Sequence, residues 1–203
     1  MSAVGITAPR TLATERPHSR GTGWWGMTLF ILTESTLFAC LLASYFYIRF
    51  SDTITWPPDG IDKPKLLHPL IMTALLVSSS GPMVWADHAV RHGKLLQLRI
   101  GLICTWLLGL FFLLIQATEY HTDLKEFTWT TDSYGSLFYT ITGFHGCHVI
   151  TGLLMVGFVI VAAFMGKFDG KRHQRIRLVA FYWHFIDVVW LAILCSLYLS
   201  PHL

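Results

Sequence analysis

The chain has 203 residues, of which 53% are hydrophobic and only 13% charged, with a formal net charge of +3 and a mean hydropathy of +0.52. That balance is too apolar for a soluble domain of this size and places the chain in a membrane. The basic residues fall in short clusters between apolar runs, not in a stripe interleaved with aromatics, so nucleic acid is excluded as the expected partner.

The first twenty residues carry Arg10, Arg16 and Arg20 but no apolar core. They read as a polar tail (residues 1–22), not a cleaved signal peptide, ahead of a membrane domain over residues 23–203. Five apolar runs follow, near Trp24–Arg49, Leu66–Trp85, Ile100–Gln116, Ser136–Met165 and Leu178–Leu199. Each can cross a hydrocarbon core of about 30 Å, and buried backbone polarity requires all five to be helices. The fold class is therefore all-α, a bundle of five transmembrane helices. Eleven of the 15 basic residues lie in the N-terminal tail, between spans two and three (Arg91, Lys94, Arg99), and between spans four and five (Lys167, Lys171, Arg172, Arg175, Arg177). The positive-inside rule then puts the N-terminus in the cytoplasm and the C-terminus outside. Trp24, Trp25, Trp56 and Trp129 fall at span ends as interfacial anchors.

Span one carries Glu34, ten residues after Trp24 and so about 15 Å into the bilayer at 1.5 Å per residue. A carboxylate at that depth needs a partner, and it serves either as a structural hydrogen-bonder between helices or in proton transfer. Span two ends in Ser78-Ser79-Ser80-Gly81-Pro82, where small residues and a proline kink the helix or admit a close neighbour. Asp87 and Arg91 follow at i,i+4 as an ion pair on a solvated helix end. In span three, Gln116 and Glu119 share a face near the outer boundary, where water is expected to satisfy both.

Span four holds T-G-F-H-G-C-H-V, with His145 and His148 on one helical face and Gly143, Gly146 and Gly152 opening the surface to a neighbouring helix or a lipid chain. Span five holds Phe181–Trp190, where His184 and Asp187 at i,i+3 are flanked by Trp183 and Trp190. Burying these groups unpaired would cost several kcal/mol, so they need partners. His145, His148 and Glu34 are the candidates at similar depth, together forming one hydrogen-bonded seam. A b-type haem between one histidine of span four and His184 stays open as a different use of the same residues. No ligand spacing typical of a protein metal site occurs on these helices. Cys40, Cys104, Cys147 and Cys195 lie in four different runs and read as buried, reduced packing residues.

T-G-F-H-G-C-H-V at Thr142–Val149 and Y-W-H-F-I-D-V-V-W-L at Tyr182–Leu191 resemble subunit III of the haem-copper terminal oxidases. T-E-S-T-L-F at Thr33–Phe38, Q-A-T-E-Y at Gln116–Tyr120 and D-S-Y-G-S-L-F at Asp132–Phe138 extend the likeness over nearly the whole chain. The resemblance is to the shorter five-helix form, which lacks the first two helices of the seven-helix form. It implies an accessory subunit in a bacterial cytoplasmic membrane, with no catalytic residue and no metal or cofactor of its own. Haems and copper are expected in the partner chains, subunits I and II. It further implies phospholipid held in a cleft between helices, and support of proton uptake and of durable turnover. By motif position Glu34 is the family's intramembrane carboxylate, and His145, His148, His184 and Asp187 are its polar core. Glu34, Phe144 and Tyr182 favour cytochrome c over quinol as the electron donor. A quinol oxidase subunit and a relative associated with nitric oxide reductase remain the alternatives, and Cys147 replaces the usual leucine.

Overall fold

A computed structural model describes residues 21–51, 66–124, 128, 130, 132–166 and 174–202. Trp56, Trp129, the first outer connection, most of the second and residues 1–20 of the N-terminal tail fall outside the described residues. Five helices run through the rest: α1 Thr22–Ser51, α2 Leu67–Arg91, α3 Leu95–Asp123, α4 Ser133–Phe164 and α5 Gln174–Ile193. All five are long and apolar enough to cross a membrane. Their order and number match the expected spans, but most start or end further out, α3 by nearly two turns beyond Gln116, because polar and charged ends such as Arg91 continue the helix into the interface. Beyond α5 the chain widens into π-type turns over Leu194–Leu199 and closes with a 3-10 turn at Ser200–His202.

Helices α2, α3, α4 and α5 touch in a closed ring, each packing on its two neighbours, and α1 lies outside the ring against α4 and α5. Directions alternate. The start of α1 meets the start of α5, with Gly23 against Leu178 and Trp24 stacked on Phe181. The ends of α1 and α5 meet through Arg49, which bonds the hydroxyl and, at 2.8 Å, the carbonyl of Ser200. Arg99 at the start of α3 forks onto the carbonyl of Ala163 near the end of α4, at 3.0 and 3.3 Å, adding to the backbone bond from Gly166. Arg91, Lys94, Arg99, Arg175 and Arg177 are thereby gathered at one end of the bundle, with the Asp87–Arg91 pair beside them.

The turn between α2 and α3 is closed by Gly93 at φ +69°. Its amide bonds Val90 and the amide of Lys94 bonds Ala89, the pattern that lets a left-handed residue end a helix. That hairpin is the tightest part of the fold. A Cβ at Gly101 would stand 2.7 Å from the carbonyl oxygen of Pro82, so α3 rides directly on the α2 backbone where the proline is. The close approach is made by Gly101 of α3 against Pro82 and Ala86, while Ser79 and Ser80 of span two make polar contact with α5, as described next.

The core is built around Trp183 and Trp190, both fully covered. Trp183 fills the space left by Gly109 of α3 and Gly152 of α4, where an added Cβ would come within 2.6 and 3.1 Å of its ring. Cys40, Cys147 and Cys195 are exposed and Cys104 is half-buried, which corrects the expectation that all four are interior. A small apolar thiol is as stable against lipid as against protein, so its apolar setting in sequence does not distinguish inward from outward faces.

Candidate functional site: polar seams at membrane depth

The polar residues expected to form one seam are divided among three places, because the helices that carry them present different faces. On α5, His184 and Asp187 face α2. The hydroxyl of Ser80 donates to Asp187 Oδ2 and stands 3.0 Å from His184 Nδ1, while Asp187 Oδ2 is 3.5 Å from the same nitrogen. Asp187 thus orients the imidazole mainly through Ser80. The partner of this pair is a serine of span two, not His145, His148 or Glu34.

Two further bonds continue this seam along the same pair of helices. The indole nitrogen of Trp183 donates to Ser79 at 2.9 Å, and that of Trp190 donates to Thr73 at 2.9 Å. Thr73 and Ser79, six residues apart on α2, thus meet Trp190 and Trp183, seven apart on α5, so nearly two turns of each antiparallel helix are in polar contact. Two tryptophans seven residues apart on one span and the hydroxyls of Thr73, Ser79 and Ser80 on another are the available sequence signal for these residues. Without knowing that α2 and α5 are neighbours, nothing selects them.

Glu34 and His148 form the second seam, joining α1 to the ring. His148 Nε2 is 3.0 Å from Glu34 Oε2, and its Nδ1 is 2.7 Å from the carbonyl oxygen of Phe144. A carbonyl only accepts, so Nδ1 carries hydrogen. Nε2 and Oε2 are within hydrogen-bonding distance, and the contact ties α1 to α4. Phe38 lies against the His148 ring at 5.1 Å and closes the seam.

His145 has neither kind of partner. It is fully buried, its two nitrogens meet no hydrogen-bonding group among the described residues, and Trp190, Phe112 and Phe38 surround it at centroid distances of 5.2, 5.8 and 6.4 Å. It behaves as an aromatic packing residue. The three histidines do not face across one gap: His148 turns toward α1, His184 toward α2, and His145 is enclosed by rings.

The third seam, between α3 and α4, was missed. Gln116 is buried, not water-exposed as its place near the span end suggested, and its amide donates to the carbonyl of Thr142 at 3.0 Å. The Tyr120 hydroxyl meets the Thr142 hydroxyl at 2.5 Å. Gln116 is interior because α3 continues nearly two turns beyond it. Gly146 makes room for its side chain, with an ideal Cβ 3.4 Å from Gln116 Oε1, while Gly143 faces Tyr120 at ordinary contact distance. Trp24 packs edge-on against Trp25, which is exposed at the first turn of α1, where an interfacial anchor is expected.

The family model described as cytochrome c oxidase subunit III matches residues 14–201. Among curated proteins, cytochrome c oxidase subunit 3 of Pan troglodytes is 37% identical over 179 residues, covering 86% of this chain and 68% of that protein. The proteins of the same name from Anopheles gambiae and Locusta migratoria are each 38% identical, covering 86% of this chain and 68% and 67% of their own lengths.

Proposed function

This chain belongs to the cytochrome c oxidase subunit III family, and from that premise we propose how its own residues serve the oxidase. It is a multi-pass membrane subunit, accessory in kind. The finer reading is that it packs against the catalytic subunit I, in a complex that also holds subunit II, carries phospholipid between its helices, and supports proton uptake and stable turnover. Redox chemistry, haems and copper belong in this reading to the partner chains. Glu34, His148, His184 and Asp187 act as positioning residues, and His145 packs among aromatic rings.

The observation that carries this reading is that the polar groups at depth engage one another across helix pairs: Glu34 with His148, and Ser80 with His184 and Asp187. Such contacts fix helix register in a medium that offers no competing hydrogen bonds. The exposed apolar faces supply the lipid contact, with Trp25, Leu29 and Leu32 on α1 and Leu154 and Phe158 on α4 turned outward. Cytochrome c is the proposed donor on the strength of Glu34, Phe144 and Tyr182. The five-helix form and the basic end of the bundle support a bacterial cytoplasmic membrane with that end, and the N-terminus, in the cytoplasm.

Isolation of the complex through a tag on this chain tests the reading, with mass spectrometry of the co-purifying proteins. A large subunit with haem-ligating histidines and a second with copper ligands are expected. Recovery of the chain as a solitary protein would refute it.

A further inference from the structure

The polar groups more than two turns from a helix end differ in how far the fold covers them. The side chains of Asp187, His148 and Glu34 are 10%, 12% and 22% exposed, and that of His184 is 40% exposed. His184 lies ten residues after the start of a helical run of 29 residues, Gln174–His202. At 1.5 Å per residue that is about 15 Å along a run of roughly 44 Å, hence some 8 Å inside a centred hydrocarbon core.

The bond from Ser80 to Asp187 fixes what His184 offers outward. Ser80 gives its hydrogen to the carboxylate, so its oxygen meets Nδ1 as an acceptor and Nδ1 carries hydrogen. As the neutral imidazole with Nδ1 so engaged, His184 presents a lone pair at Nε2, and no described residue bonds it. Outward hydroxyls are treated differently: Thr33, Thr36, Ser44, Ser78, Thr118 and Thr151 each donate to a carbonyl three or four residues earlier in their own helix. They need nothing from outside, whereas the acceptor on His184 does. Acyl chains cannot donate to it, and headgroups lie beyond its reach.

Its surroundings form a strip along α5. Phe181, Val188 and Leu191 are exposed on the same side of the helix as His184, within about 60° of it. α1 closes one flank through Trp24 and Phe30, which contact Phe181 and Tyr182, and α2 closes the other through Thr73, Ser79 and Ser80. We propose that this strip of α5, open between α1 and α2, is the docking face for a transmembrane helix of another oxidase subunit, which presents a hydrogen-bond donor to His184 Nε2. The proposal rests on the reading of the chain as an oxidase subunit and adds the face and the chemistry of the contact.

The test uses the tagged oxidase complex with a benzophenone amino acid at Val188 and, as control, at Phe158 on the outward face of α4. Cross-linking of Val188 to another oxidase subunit, with Phe158 labelling lipid, is expected. Two substitutions separate the ring nitrogens: His184→Asn keeps a polar group near Nδ1 and loses Nε2, and His184→Gln does the reverse. The Asn variant should release the chain from the complex roughly three- to tenfold more readily in detergent, as loss of one intramembrane hydrogen bond implies, and the Gln variant should not. If the complex is intact but Val188 labels only lipid, or the Gln variant is the weaker, the docking face is overturned while the subunit assignment stands. Absence of any oxidase chain from the preparation would overturn both.

Discussion

His145 and His148 sit one turn apart on α4 and carry opposite expectations. His148 uses both ring nitrogens, on Phe144 and Glu34, whereas His145 uses neither and is walled by Phe38, Phe112 and Trp190. A buried acceptor without a partner is a cost that an apolar ring of similar size removes. His145→Phe should therefore leave the unfolding free energy of the chain unchanged or raise it by about 1 kcal/mol, while His148→Phe should lower it by about 1–3 kcal/mol. Steric-trapping or detergent-unfolding measurements on both variants check the sign. Glu34→Gln keeps a donor within reach of His148 Nε2 and should cost under about 1 kcal/mol. Glu34→Ala removes the contact and should free α1 from α4, read as faster alkylation of a cysteine placed at Ile31.

At the scale of the element, close approach matters more than polarity. Gly101→Ala drives a methyl group against the backbone oxygen of Pro82, which no side-chain rotation relieves. It should destabilise the α2–α3 hairpin by about 1–3 kcal/mol. Gly26→Ala, whose Cβ meets nothing within 4 Å, should instead stabilise α1 by about 0.5–1 kcal/mol. The two variants in one thermal-unfolding assay of the purified chain should shift in opposite directions. Trp183→Phe deletes the bond to Ser79 and leaves unfilled the space between Gly109 and Gly152, at a cost of about 2–4 kcal/mol, the larger part of it packing.

For the whole molecule, a closed four-helix ring with α1 laid on its outside has one weak member. α1 buries only Phe38 and Tyr45, whereas α5 buries eleven residues. Hydrogen exchange of the free chain in detergent should open α1 at a lower free energy than α3 or α5, and assembly into the complex should raise its protection most. The five spans, their order and their helical form were legible in the sequence, since a bilayer leaves the backbone no alternative. Glu34, His148, His184 and Asp187 were visible as residues in need of partners, because their polarity stands out against apolar runs.

Their pairing was not legible. Lipid-facing and protein-facing surfaces are equally apolar, and no periodicity shows which way a span turns. For that reason the sequence does not single out Ser80 as the partner of Asp187, leaves Gln116 looking like a water-facing residue, and does not distinguish outward cysteines from inward ones. The sequence by itself determined how many times the chain crosses the membrane, the family it belongs to and which residues cannot face lipid alone. Only the tertiary structure decided that α2, not α4, meets the His184–Asp187 face of α5, since contacts between helices depend on rotation and neighbour order, which the hydrophobic pattern of a membrane protein leaves free.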